Sequence, residues 1–270
     1  MAYKNRMDLH THTDNSFDGH HSIMYMCEKA CEKGIKAIAF TDHIEVDCYY
    51  EEHYDKVTVQ AYFEMAKARS AFDGKIIVCA GMEMGEASYN PEVAEKILND
   101  HKYDIILGSI HNLRGEDDFC FLDYFSNDID EILNEYFDEI CGLADWGKFD
   151  SLAHLTYPLR YIEGEAGIHV DLSKYSSKID EALRTLAEKD RALEINTSGL
   201  FNKIGKTLPE ENIVRRFREL GGKLVTVGSD SHYADYIGRG IETGMDIAKR
   251  SGFDSIALFS GREPIEIPIE

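Results

Sequence analysis

The sequence predicts an α/β fold whose parallel strands close, or nearly close, into a barrel. Three observations lead there. Short apolar runs alternate with helical-period segments along the chain, the pattern of strand–helix–strand units with right-handed crossovers. The 270 residues hold no low-complexity stretch, no fixed-period repeat and no Pro/Gly/Ser-rich linker. One barrel domain, residues 1–270, therefore accommodates the whole chain. Finally, the apolar runs number seven, and they end in residues suited to chemistry rather than to a core. An open, doubly wound sheet is the alternative arrangement of the same elements.

The strands are expected at residues 6–12, 36–41, 75–83, 104–110, 151–155, 192–197 and 223–228. Most are short and apolar throughout, as buried parallel strands are. Between them lie the helices. Ser22 suits the cap of a helix running to about Lys33, with Gly34 just past its end. Residues 57–72 carry apolar side chains at helical spacing and stop before Gly74. Pro91 suits a first helical turn and opens a run to Asn99. Residues 129–143, 176–188, 209–220 and about 240–250 complete the set.

Composition sets limits on function. Hydrophobic residues make up 43% and charged residues 29%, ordinary for a globular chain. The balance of charge is less ordinary: 29 Lys+Arg against 50 Asp+Glu gives −21. Such a surface repels a phosphate backbone, so no nucleic-acid partner is expected. A small phosphorylated substrate remains compatible, because bound metal ions reverse the field locally. No apolar signal region opens the chain and no run of about 18 apolar residues follows, so no membrane partner is expected. The six cysteines form no Cys-x-x-Cys pair. Reduced thiols in the cytoplasm are the expectation.

The strand ends carry the chemistry. They read Asp8-Leu9-His10-Thr11-His12, Thr41-Asp42-His43, Gly81-Met82-Glu83 and Gly108-Ser109-Ile110-His111 in the first half. Ala153-His154, Glu194-Ile195-Asn196 and Gly228-Ser229-Asp230-Ser231-His232 follow in the second. In a parallel barrel all these ends share one face, where active sites lie. His10 and His12 are two apart on a strand, so both imidazoles point the same way. Neutral imidazoles mixed with carboxylates suit Zn²⁺, Fe²⁺ or Mn²⁺. Glu83 has two oxygens and can bridge two ions. The candidates exceed what one ion needs, so two to three divalent ions are expected.

These motifs resemble the polymerase-and-histidinol-phosphatase (PHP) superfamily of metal-dependent phosphoesterases. The matching segments are His10-Thr11-His12 with Asp18-Gly19 beyond it, Thr41-Asp42-His43, Ser109-Ile110-His111 and Ser229-Asp230-Ser231-His232. Glu83 and His154 fill the remaining ligand positions. The resemblance implies a distorted, TIM-barrel-like (β/α)7 barrel with a trinuclear site. It implies that His10, His12, Glu83 and Asp230 hold one ion, and that Glu83, His111 and His154 hold a second. Asp18, His43 and His232 would hold the third. Within the superfamily the chain is most similar to the histidinol-phosphate phosphatases, through residues 154–161 and 194–200. Thr156 departs from the aspartate that many superfamily members carry there, at a position that is not a ligand.

The resemblance implies hydrolysis of L-histidinol phosphate to L-histidinol and phosphate, in histidine biosynthesis. A metal-bound hydroxide is the expected nucleophile, and no side chain is assigned as catalytic acid. Arg160, six residues past His154, can hold two phosphate oxygens, and Tyr161 would line the same pocket. One residue of the acidic run Glu116-Asp117-Asp118 would meet the cationic end of the substrate, with Glu116 the candidate. Asp42 is expected to orient a ligand rather than to be one. A related phosphoesterase acting on a nucleotide or phosphotyrosine is the nearest alternative. A metal-binding module without turnover is a more distant one. Lysine-bridged amide hydrolysis is disfavoured, for no lysine ends strands three to five. A monomer or a homodimer is expected.

Overall fold

The computed structural model describes residues 3–270. Its strands are β1 (Met7–Thr11), β2 (Ala37–Phe40), the short β3 (His43–Glu45), β4 (Ile77–Gly85), β5 (Ile105–Ser109), β6 (Ser151–Leu152), β7 (Ala192–Asn196) and β8 (Val225–Gly228). All pair in parallel, in the order β1-β2-β4-β5-β6-β7-β8, with β3 added on β4. The last strand returns to the first. Thr11 bridges Ser231, His12 N–H donates to the Ser231 carbonyl at 2.9 Å, and Asp230 N–H donates to the His10 carbonyl at 2.8 Å. The sheet is thus a nearly closed, distorted barrel rather than an open sheet. The distortion is local: β6 has two residues, and the β1–β2 register shifts between Asp8 and Thr11.

Helices α1 (Ile23–Glu32), α2 (Tyr54–Ala71), α3 (Pro91–Asp100), α4 (Ile129–Trp146), α5 (Ser176–Glu188), α6 (Glu211–Glu219) and α7 (Ile241–Arg250) separate or follow the strands. Their ends follow local chemistry. Ser22 caps α1 by accepting from Tyr25 N–H. Asn90 caps α3 ahead of Pro91. Asp128 accepts from Asp130 and Glu131 N–H at the start of α4, and Gly147 ends it in the left-handed conformation. Helix α2 begins three residues before the expected 57, and α6 two residues after the expected 209.

Two elements escape the sequence pattern. Strand β3 is three residues long, too short for any periodicity. The antiparallel pair β9 (Ser255–Ser260) and β10 (Glu263–Pro268) shows little alternation, because β9 is buried on both faces and β10 is almost wholly exposed. Its two-residue turn, Gly261-Arg262, has positive φ at both positions, the geometry of a type I′ hairpin. That turn plugs into the N-terminal end of the barrel. Arg262 N–H donates to the Asp104 carbonyl at 2.9 Å, and the Arg262 guanidinium holds Asp150 with three contacts of 3.0–3.1 Å. The opposite end, where the strands finish, stays free for the site.

Candidate metal centre

His10 and His12 share one side of the end of β1, and both are fully buried. Their Nε2 atoms lie 3.0 Å apart. Two imidazole nitrogens aimed at one point fit the roughly 3.3 Å edge of a tetrahedron with metal–nitrogen bonds of about 2.0–2.1 Å. Each ring is turned by a partner on its other nitrogen. His10 Nδ1 is 2.7 Å from Glu194 Oε1. His12 Nδ1 is 3.2 Å from Ser16 Oγ, and Ser16 donates onward to Asp42 Oδ1 at 2.8 Å. With Nδ1–H assigned to those partners, each Nε2 presents a lone pair to the cavity.

Glu83, from β4, occupies the middle. Its Oε2 lies 3.2 Å from His10 Nε2 and 3.4 Å from His12 Nε2. Its Oε1 lies 3.1 Å from His111 Nε2 and 2.7 Å from His154 Nε2. Each oxygen therefore faces its own pair of imidazoles, the disposition a bridging carboxylate needs. Asp230 Oδ1 stands 3.4 Å from His12 Nε2 and 3.8 Å from His10 Nε2. A third group completes the rim: His232 Nε2 is 3.0 Å from Asp18 Oδ2, and His43 Nε2 is 3.8 Å from Asp18 Oδ1. The His12 ring stacks between those of His43 and His232, at 4.3 and 4.2 Å.

Electrostatics follow from this crowding. Burial alone would raise the Glu83 pKa, but His10, His111, His154 and His43 hold it well below the carboxylate range. Burial favours neutral His10, yet Glu194, Glu83 and Asp230 push its pKa well up. His12 goes the other way, held well below the usual value by burial and by the neighbouring His232 and His43. A positive-φ backbone at His154 and Asp230 marks stored strain. Neighbours hold both: His154 N–H donates to Glu194 Oε2 at 2.8 Å, while Asp230 N–H is fixed on β1. Gly228 just before is required for closure, since a Cβ there would run into His10 and Glu194.

The donor set fits divalent cations. Asp18 Oδ1, His43 Nδ1 and His154 Nδ1 are buried without a hydrogen-bond partner. His43 Nδ1 is within 3.3 Å of oxygens on both Glu45 and Glu83, yet makes no hydrogen bond to either. Three His/carboxylate groupings converge around Glu83 and His12: His10–His12–Glu83, His43–Glu83–His111 and His12–His43–His232. Cations would balance the clustered carboxylates and give Asp18 Oδ1 a partner.

The remaining expected residues divide. Arg160 and Tyr161 line a cavity of about 170 Å³ over the centre. Arg160 opens a π-helical turn. Its Nη2 donates to Asp230 Oδ2 at 2.8 Å and to Ser198 Oγ at 2.7 Å, and its Nε–H has no partner. Glu116 does not belong here. It is exposed on the loop after β5, and the member of the acidic run that lines the cavity is Asp118. The loop turns between them, so residues two apart have different surroundings. Asp42 acts on His12 through Ser16. Two functional positions went unassigned in the sequence. Glu194 holds His10 and the His154 backbone. Glu45 lies 3.1 Å from His111 Nδ1 and 3.3 Å from His43 Nδ1. Glu194 could have been found from its place at a strand end; Glu45 could not, because the strand that carries it is too short to show a period.

The fold and this site define a class, and the chain belongs to it: residues 8–198 match the PHP domain family. The chain is 32% identical over 259 residues to a protein of Thermotoga maritima named probable histidinol-phosphatase, covering 93% of this chain and 95% of that one. It is also 32% identical to a probable histidinol-phosphatase of Clostridium acetobutylicum, over 90% of this chain and 92% of the relative. Among solved structures, the histidinol phosphate phosphatase of Lactococcus lactis, bound to zinc, L-histidinol and phosphate, has the same fold. It superposes with a TM-score of 0.81 at 24% identity, covering 97% of this chain and 99% of that one.

Proposed function

We propose that this chain is a histidinol-phosphatase, a phosphoric monoester hydrolase that releases phosphate from L-histidinol phosphate in histidine biosynthesis. The observation that carries this reading is the similarity to the Thermotoga protein over nearly the full length of both chains. The site agrees with it. His10, His12, Glu83 and Asp230 would hold one divalent ion, Glu83, His111 and His154 a second, and Asp18, His43 and His232 a third, with zinc, iron or manganese as the metal. Residues 1–270 act as one barrel unit in this reading, because β8, with Asp230 and His232 beyond it, lies past the family match. We place the protein in the cytoplasm as a monomer or homodimer; no described helix is long and apolar enough to cross a membrane.

Bound divalent ions supply an ionised water near neutral pH and neutralise charge on the phosphoryl oxygens. The chain's own residues position the reactants. Glu194 and Ser16 fix the ring orientations of His10 and His12. The Arg160 guanidinium, which lines the cavity, would take a phosphate oxygen, while its Nη2 stays on Asp230 and keeps it from swinging away. Tyr161 Oη, 2.9 Å from Tyr157 Oη, closes the wall beside it.

The test is phosphate release from L-histidinol phosphate with Mn²⁺ or Zn²⁺, beside nucleotides, sugar phosphates and phosphotyrosine. Selective turnover of histidinol phosphate, abolished by a chelator, is the expected result. Selective turnover of another ester would keep the metal chemistry and remove the histidinol assignment.

A further inference from the structure

Two lobes open on either side of the metal centre, and they differ in charge. Both share Asp18, Arg160, Asp230 and His232. One runs past Phe201 and Tyr236 and holds Arg239. That guanidinium stacks on Phe201 at 3.8 Å and Tyr236 at 4.9 Å, and no carboxylate pairs with it among the described residues. The other lobe holds Asp118, Phe17 and Phe121.

Asp118 spends one oxygen locally: Oδ1 accepts from Cys120 N–H at 2.6 Å, capping the turn Phe119–Phe121. Its Oδ2 has only a 3.4 Å approach from Tyr157 Oη and no cationic partner. Phe17 and Phe121 are 80% and 77% exposed, high for phenylalanine, although both belong to the cavity wall. Phe17 also stacks over His43 at 5.5 Å. Exposed aromatic faces beside an unpaired carboxylate suit a ligand that is flat and cationic. The Arg239 lobe repels such a group and attracts anions.

We propose that Asp118, Phe17 and Phe121 form the leaving-group subsite: the carboxylate receives an ammonium, and the two rings flank a flat heterocycle. This rests on the histidinol-phosphatase reading, whose product alcohol carries both groups. The ester is thereby oriented, with phosphate under Arg160 and the alcohol in the acidic lobe. The Arg239 lobe is left open to anions.

The experiment compares kcat/KM for L-histidinol phosphate and for glycerol 2-phosphate, a small ester without cation or ring, in wild type, Asp118→Asn, Phe121→Ala and the control Glu116→Gln. Inhibition by L-histidinol is measured alongside. Asp118→Asn should lose about tenfold or more on histidinol phosphate and bind L-histidinol correspondingly more weakly, while glycerol 2-phosphate changes less than about threefold. Phe121→Ala, at a surface position that does not support the fold, should raise KM for histidinol phosphate about fivefold and spare the small ester. Glu116→Gln removes the same charge outside the cavity and should leave the ratio unchanged. Equal losses on both esters, or a ratio that Glu116→Gln moves as far as Asp118→Asn, would overturn the subsite. If wild type neither hydrolyses histidinol phosphate nor binds L-histidinol, the functional reading falls and takes the subsite with it. Selective wild-type turnover that survives both cavity variants removes the subsite alone.

Discussion

Both ends of the barrel bury carboxylates, and they treat them in opposite ways. At the N-terminal end Asp150 is 1% exposed. It accepts from Ile106 N–H at 2.8 Å and from the Arg262 guanidinium, so its charge is answered within the chain. At the C-terminal end Glu83 is equally buried, but its neighbours are five imidazoles, and the pKa values of His10 and His12 among them are driven apart. Removing water from a carboxylate costs several kcal/mol, and the chain either supplies a fixed cation or leaves room for one to bind. The first solution holds the fold together. The second leaves the folded protein with affinity for metal ions. The same residue type at the same burial therefore has two roles, and the partners distinguish them.

The largest effect that would test this contrast is at Glu83. Glu83→Gln should remove bound metal, seen as a fall in stoichiometry by elemental analysis, and lower kcat/KM by about 10³-fold, because several kcal/mol of charge stabilisation goes with the ions. A variant that keeps both metal and rate would show that the central carboxylate bridges nothing. Glu194→Gln is the next. It keeps the shape and loses the charge behind His10, so metal affinity or activity should fall about 10- to 100-fold. Unchanged metal affinity would mean that Glu194 serves only the strained backbone of His154.

Arg262→Leu strikes the other end. Asp150 is left buried with only Arg191 nearby, at 3.6 Å. Stability should fall by about 2 kcal/mol, less than for a fully buried pair because Arg262 is partly exposed. Thermal unfolding should show this while kcat/KM stays within about twofold, as expected of the face opposite the site. Loss of activity without loss of stability would break the division between the two ends.

The smallest effect is on pH dependence. Burial lowers the pKa of His43, but Glu83 and Glu45 more than offset it and raise it to about 9 in the metal-free protein. A raised folded-state value means that the stabilisation from protonated His43 is full below the unfolded value of about 6.5 and is lost as pH climbs through about 9. Metal and proton compete for the same nitrogens. Apo stability should therefore fall from pH 6.5 to 9 while metal affinity rises, read by melting curves with and without chelator. Parallel curves would show that the ions do not compete with protons for these imidazoles.

Much of this was legible in the sequence, for identifiable reasons. The period-two rule placed His10 and His12 together, and the strand-end rule gathered His43, Glu83, His111, His154 and Asp230 from distant parts of the chain. The strand-end rule applied to Glu194 would have drawn it in too, whereas Glu45 sits on a strand too short for any period to show. Glu116 fails for a different reason: it lies in a loop, where no periodicity fixes direction, and it is exposed at the end of a turn closed by its N–H on the Leu113 carbonyl.

The sequence by itself determined the alternation of strands and helices, the caps that end the helices, and a donor set suited to divalent ions. Those follow from local rules of spacing and residue chemistry. Only the tertiary structure decided that β8 returns to β1, that Glu83 presents one oxygen to each pair of histidines, and that a C-terminal hairpin seals the far end with Arg262. These depend on contacts between residues as much as 230 positions apart, such as Gly238 N–H on the Asp8 carboxylate at 2.7 Å. No local pattern encodes such a contact; it exists only once the whole barrel has closed.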